Sequence, residues 1–247
     1  MTEPTSKGDI ERALARVRER ISDAAVRAGR DPAAITLVAV SKTFPAQAVR
    51  DALAAGQLDY GENRIEEAVP KIAEVGAAEA RWHLIGHLQT RKAKDAVEHF
   101  TLIHSVDTLK LATAISARIA ETMPAQDILL ECNISGEESK SGFALQGWEG
   151  DATRWQTFTH EVEQIMALPR VRVRGLMTMA PIVEHTEQSR PTFSGLRMLR
   201  DALQQRFPQA AWDHLSMGMT DDFEVAIAEG ATLVRIGRAI FGARTMI

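Results

Sequence analysis

Short β-type runs alternate with helical segments from residue 35 to the C-terminus, and this alternation leaves few architectures open. The strand candidates are "ITLVAVSK" (35–42), "LDYGEN" (58–63), "RWHLIG" (81–86), "LIHSVD" (102–107), "DILLECNIS" (127–135), "VRGLMTMA" (173–180), "HLSMG" (214–218) and "LVRIGRAIFG" (233–242). Most are followed by a helix-like segment, at 46–55, 63–75, 90–96, 108–122, 155–168, 189–207 and 220–229. Repeated βα units with right-handed crossovers build a parallel sheet, and eight of them close it into a barrel. The expected fold class is α/β, a (β/α)8 TIM-type barrel with an extra N-terminal helix, in preference to an open doubly wound sheet. The 247 residues suit one such barrel, which commonly runs to about 250. No linker interrupts the pattern, so residues 1–247 read as a single domain.

The opening helix, "GDIERALARVRERISDAAVRAGR", carries Ile10, Ala13, Leu14, Val17, Ile21, Ala24 and Ala25 as one apolar stripe and ends at Gly29, ahead of Pro32. The chain stops soon after the eighth strand, so this helix is expected to cover the wall that an eighth helix would otherwise cover. The stretch 136–154 is rich in Gly, Ser and charge, lacks a helical stripe until Trp155, and reads as a long loop at the active-site end.

With 45% hydrophobic and 25% charged residues the chain can bury a sizeable core. No apolar run approaches the roughly 20 residues of a membrane helix, and the N-terminal stretch lacks the apolar segment of a secretory signal. A cytoplasmic protein is expected. A single cysteine, Cys132, excludes an intrachain disulfide framework, and a net charge of -4 gives no reason to expect nucleic acid.

Lys42 closes the first strand candidate. Alternation puts it on one face with Val40, Val38 and Thr36, leaving Ser41, Ala39, Leu37 and Ile35 toward the helices. In a barrel the carboxyl ends of the strands face the ligand site. An amine at an apolar mouth has its ammonium form disfavoured and becomes a nucleophile for carbonyl compounds. Taken alone, Lys42 reads first as a strand-end lysine snorkelling into solvent.

The far end of the chain adds to this. Ser216, Gly218 and Thr220 follow strand seven, and Arg235 and Gly237 end strand eight, where barrel enzymes bind phosphate. Glycines there let backbone N–H groups approach an anion, and Ser216 and Thr220 add hydroxyls. Thr220 also reads as the cap of the next helix, with Asp221 and Asp222 in its first turn. A nucleophilic lysine and a phosphate cradle on opposite sides of one mouth point to a phosphorylated aldehyde. Pyridoxal 5'-phosphate (PLP) is the obvious candidate, with Lys42 as Schiff-base amine and Arg235 facing the ring nitrogen. An arginine, always protonated, leaves that nitrogen unprotonated and the ring a weaker electron sink than beside an aspartate.

From Ile10 to Arg244 the sequence resembles the PLP homeostasis proteins, PLP-binding barrels related to the N-terminal barrel of alanine racemase. The motifs are "VAVSKT" with Lys42, "YGENR" with Asn63, "WHLIGHLQTRK" with His87, "SVD" at 105–107, "NISGEESKSGF" with Lys140, "GLMTMAP" with Met177, "LSMGMTDDFEVAI" and "VRIGRAIFG". The resemblance implies a Schiff base on Lys42, Ser216, Gly218 and Gly237 around the phosphate, Arg235 near the ring nitrogen and Asn63 beside the cofactor. Lys140 reads either as a second amine or as a loop cation.

Two-base racemases need a group on each face of the substrate carbon, and alanine racemases supply a tyrosine from a second, C-terminal domain. This chain ends where that domain would begin, and its only tyrosine, Tyr60, lies in strand two. The expectation is a non-catalytic vitamin B6 carrier, a monomer that holds PLP and delivers it to PLP-dependent apo-enzymes, with no nucleic-acid or membrane partner. The alternatives are a low-activity racemase or lyase using Lys42 with His87 or Cys132, and a barrel forming an aldolase-type Schiff base with a sugar phosphate. His83 and His87 have the spacing of a helical metal pair, but a β-type run with Gly86 argues against a helix, and no metal is expected.

Overall fold

Eight parallel strands close on themselves in a computed structural model that describes residues 6–242. Both ends of the 1–247 domain, and Arg244 at the end of the resemblance, lie outside the described residues. The strands are β1 (Thr36–Val40), β2 (Asp59–Glu62), β3 (Arg81–Leu84), β4 (Leu102–Val106), β5 (Gln126–Asn133), β6 (Phe143–Ala144), β7 (Val171–Met177), β8 (His214–Ser216) and β9 (Leu233–Ile236). All but β6 form the barrel; β4 pairs with β5, β5 with β7, and β1 with β9 to close the ring. The two-residue β6 adds to β5 from outside. The α/β barrel expected from the alternation is the fold observed.

The period-two pattern sorts side chains into two layers. Val38, Leu102, Leu129, Met177 and Leu233 meet inside the barrel, whereas Leu37, Ala39, Leu130 and Ile236 join the larger core between sheet and helices. The helices are α1 (Lys7–Arg27), α2 (Ala46–Ala54), α3 (Ile65–Val75), α4 (Ala93–His99), α5 (Leu109–Ser116), α6 (Ala152–Met166), α7 (Arg190–Arg206), α8 (Phe223–Ala228) and α9 (Arg238–Phe241). Every residue of the α1 stripe is buried, and α1 packs against α2, α8 and α9, over the seam where the barrel closes. Ser6 and Asp9 form a capping box at its start.

Several boundaries differ from expectation. The eighth strand does not run to 242 but ends at Ile236; the chain turns at Gly237 into α9, which buries Ile240 and Phe241. Helix α6 starts at Ala152, capped by Asp151 accepting from Arg154 N–H at 2.9 Å, three residues before Trp155. The stretch 136–154 is therefore more than a polar loop. Phe143, Leu145 and Trp148 are buried, Phe143 meeting Phe158 edge-on and Trp148 stacking obliquely on Trp155. Among the described residues no helix is long and apolar enough to cross a membrane.

Candidate site at the carboxyl end of the barrel

Strand β1 stops at Val40, so Lys42 sits in the turn beyond it, half-buried, rather than as the last residue of the strand. The next residue, Thr43, has φ 68°, a conformation that a β-branched residue adopts only when its surroundings impose it. Those surroundings lie behind the sheet. Ser41 Oγ donates to Glu62 Oε1 at 2.7 Å, Lys71 Nζ donates to Ser41 O at 2.8 Å and to Glu62 Oε1 at 2.7 Å, and Thr43 N–H donates to Glu67 Oε1. Both neighbours of Lys42 are thus tied to the helix layer by one ionic cluster, and Phe44 packs on Phe241 at 5.2 Å.

Closure of the barrel makes β1 and β9 neighbours, with Val38 opposite Arg235 and Ala39 opposite Ile236. The lysine turn and the glycine-bearing loops are therefore adjacent, not on opposite sides of the mouth. A Cβ at Gly237 would stand 3.0 Å from Val40 O, tighter than a side chain usually sits, so glycine suits this close approach of the strand ends. Arg235 N–H donates to Gly218 O at 3.0 Å, which ties the loop after β8 to β9. Gly218 has φ 92°, and a Cβ there would lie 2.6 Å from Ala226 Cβ. Thr220, partly exposed in this loop, does not cap α8; Asp222 precedes that helix and its Oδ1 accepts from Met219 N–H at 2.6 Å, while Asp221 pairs with Arg238 at 2.6 Å. Asn63 lies half-buried just beyond β2, with its backbone against Gly86, and Met177 ends β7 inside the barrel.

Arg235 points inward and is 5% exposed; its Nη1 donates to Ser216 Oγ at 2.5 Å and its Nη2 to Thr178 O at 2.9 Å. Burial pulls the guanidinium down to about 10, opposed by Asp222 and Glu131, so it stays protonated at neutral pH. Ser216 is fully buried, and its hydroxyl also meets His104 Nδ1 at 2.9 Å. It belongs to the barrel interior beneath the rim, which is not where a phosphate-facing hydroxyl was expected. Glu131, on the same inward face of β5 as Leu129, was missed at the level of sequence although its alternation with Leu129 is the available signal. Burial pushes its carboxyl up to about 7, Asp107 beyond β4 adding to the rise and Arg235 opposing it.

Other candidates fall outside this cluster. Tyr60 faces the helices, with its hydroxyl donating to Gln57 O at 2.8 Å, and burial raises its pKa. Cys132 also faces the helix layer, 1% exposed, with burial raising its thiol well above the ordinary value. His87, half exposed, stands 3.4 Å from Asp107, whereas His83 points into the barrel toward Asp59. Among the described residues no group of three or more potential ligands could hold a metal ion. Lys140 Nζ donates to Met179 O at 3.1 Å and pairs with Glu137, anchoring its loop to the end of β7.

The family model of the alanine racemase N-terminal domain matches residues 13–245. The pyridoxal phosphate homeostasis protein of Escherichia coli K12 is 43% identical over 247 residues, covering 96% of this chain and 97% of its own. Its counterpart in Pseudomonas aeruginosa PAO1 is 45% identical over 231 residues, covering 94% of each. The solved structure of PipY from Synechococcus elongatus PCC7942 with PLP bound has a TM-score of 0.80 and 36% identity, covering 94% of this chain and 100% of that one.

Proposed function

The chain belongs to the pyridoxal phosphate homeostasis protein family and carries the alanine racemase N-terminal domain, and from that premise we propose that it binds PLP as a Schiff base on Lys42. In this reading it is a single-domain cytoplasmic monomer that limits the free aldehyde and hands the cofactor to PLP-dependent apo-enzymes. The observation that carries the reading is the convergence, at one end of the barrel, of the Lys42 turn, Gly218, Gly237 and the buried Arg235.

The residues fit the group. The hydrogen bonds of Arg235 go to two neutral acceptors among the described residues, so its charge is available to a ring nitrogen, which it would leave unprotonated. Backbone at Gly218 and Gly237 and the Thr220 hydroxyl would serve the phosphate, and Met177 and Asn63 would line the cofactor site. Ser216 would contribute by holding Arg235. Bound there, the cofactor supplies an aldehyde that condenses reversibly with an amine. Support for carriage over turnover comes from Tyr60 and Cys132, both turned away from the mouth; His87 beside Asp107 is the feature that favours a weak racemase or lyase instead.

The test is the visible spectrum of the purified protein with added PLP, alongside Lys42→Ala, followed by borohydride reduction and peptide mapping. A yellow band trapped on Lys42, absent from the variant, is expected, together with reactivation of a PLP-dependent apo-enzyme by the loaded protein. A protein that stays colourless, or a label on Lys140 instead, overturns the binding reading. Lys42-dependent turnover of an amino acid overturns the carrier reading and leaves binding intact.

A further inference from the structure

A line of buried polar side chains crosses the barrel interior below Arg235. Asp59 Oδ1 meets His83 Nε2 at 3.0 Å, His83 Nδ1 meets His104 Nε2 at 2.9 Å, His104 Nδ1 meets Ser216 Oγ at 2.9 Å, and Ser216 Oγ meets Arg235 Nη1 at 2.5 Å. Each of the five is less than a tenth exposed. Asp59 opens β2 at the amino end of the barrel, where Arg81 clasps it with two bonds of 2.8 and 2.6 Å; Ser216 ends β8 near the mouth. The line therefore joins opposite ends of the barrel through residues contributed by five strands.

The two termini fix its direction. A guanidinium only donates and a carboxylate only accepts. Arg81 and His83 outweigh the burial that pushes the Asp59 carboxyl up and hold it at about 2, so it is ionised. His83 must then donate from Nε2 and, when neutral, accept at Nδ1. His104 must in turn donate from Nε2 and accept at Nδ1 from the Ser216 hydroxyl, whose oxygen accepts from Arg235. In this arrangement every donor meets an acceptor, and burial, with His83, Arg235 and His214 adding to it, keeps His104 neutral. A second proton on His83 would reverse His104 and leave the Ser216 hydroxyl proton without an acceptor in the line.

We propose that His104 and His83 are positioning residues, which hold the Arg235 guanidinium toward the bound ring through a one-way hydrogen-bond line anchored on Asp59. The inference rests on the reading of Arg235 as the partner of the PLP ring nitrogen. Outer partners of a bound group commonly tune it by about ten-fold or more, and the histidines act here only through Arg235.

Two measurements on the full chain test it. Long-range proton–nitrogen NMR of the unloaded protein is expected to find both imidazoles as the Nε2–H tautomer; an Nδ1–H tautomer or a doubly protonated ring at either site at neutral pH overturns the line. Spectra of the PLP-loaded protein supply the second. His104→Leu is expected to shift the visible band and weaken PLP binding about ten-fold, and to do neither in an Arg235→Leu background. An equal shift in both backgrounds, or none in either, overturns the positioning role. If wild-type protein forms no band, the binding reading fails, while the tautomer measurement still decides the line.

Discussion

Glu62 is fully buried behind the Lys42 turn, and its Oε2 has no hydrogen-bond partner among the described residues. Its other oxygen takes both Ser41 Oγ and Lys71 Nζ. A buried ion pair of this kind adds little to stability compared with an apolar replacement, yet removing one member strands the other. Burial raises the Glu62 carboxyl above its ordinary 4.5, with Lys71 as the main influence drawing it back. For a carboxyl raised in the folded state, the stabilising contribution is whole below 4.5 and is lost as pH rises through the raised value. Lys71→Met therefore enlarges a loss that grows with pH. The variant is expected to cost about 3–5 kcal/mol near neutral pH and clearly less at mildly acidic pH, as read from urea denaturation. The double variant Glu62→Gln/Lys71→Met should recover most of that cost. A cost independent of pH would assign Lys71 to packing of its stem alone. The functional consequence lies at Thr43, whose strained φ persists because this cluster grips the residues on both sides of the lysine.

Among the elements, α1 was legible in full because a long amphipathic helix repeats one signal over many turns; all seven apolar positions of its stripe are buried. Leu14 lies at 0% exposure in that stripe, on the outer side of the barrel wall. Leu14→Ala is expected to lower stability by about 2–5 kcal/mol in denaturant titration while leaving the PLP absorption band unmoved. A changed band would mean that the seam between α1, α8 and α9 reaches the mouth. Strand β6 and the buried Trp148 were illegible because the apolar run 143–145 is only three residues long and Trp148 stands alone, both among Gly, Ser and charged neighbours, and it is tertiary packing that organises them. The overlong eighth strand has the opposite cause. "RAIF" reads as β-type by composition, and only burial of Ile240 and Phe241 in one helical turn separates it from β9. Lys42, Gly218, Arg235 and Gly237 were singled out from their positions at strand ends, but their adjacency depended on which strands pair. A linear reading set them on opposite sides, and closure of the first strand on the last brought them together.

At the scale of the whole molecule, the barrel interior mixes an apolar inner cluster with groups whose ionisation it suppresses, and the polar line was invisible in sequence because hydrogen-bonded neighbours in it are separated by up to 112 residues. Two of these groups oppose each other. Burial holds His104 well below its ordinary 6.5, so stability is lost as pH falls below 6.5, where the unfolded chain takes up a proton that the fold refuses. Glu131 is raised from 4.5 to about 7, so its contribution is whole below 4.5 and is lost as pH rises through about 7. Each slope is about 1.4 kcal/mol per pH unit, and from 6.5 downward, toward 4.5, the two run in opposite directions. Asp59, held at about 2, remains ionised across that window and contributes no slope. Glu131→Gln removes one side of the balance. Its stability relative to wild type is expected to rise with pH by about 1.4 kcal/mol per unit, or about 3 kcal/mol in total, between pH 4.5 and about 7. Urea midpoints of the unloaded proteins across that range measure it. Parallel curves for the two proteins would mean that Glu131 is already ionised in mild acid, and that the barrel mouth bears a negative charge opposite Arg235 under the conditions in which a phosphate must enter.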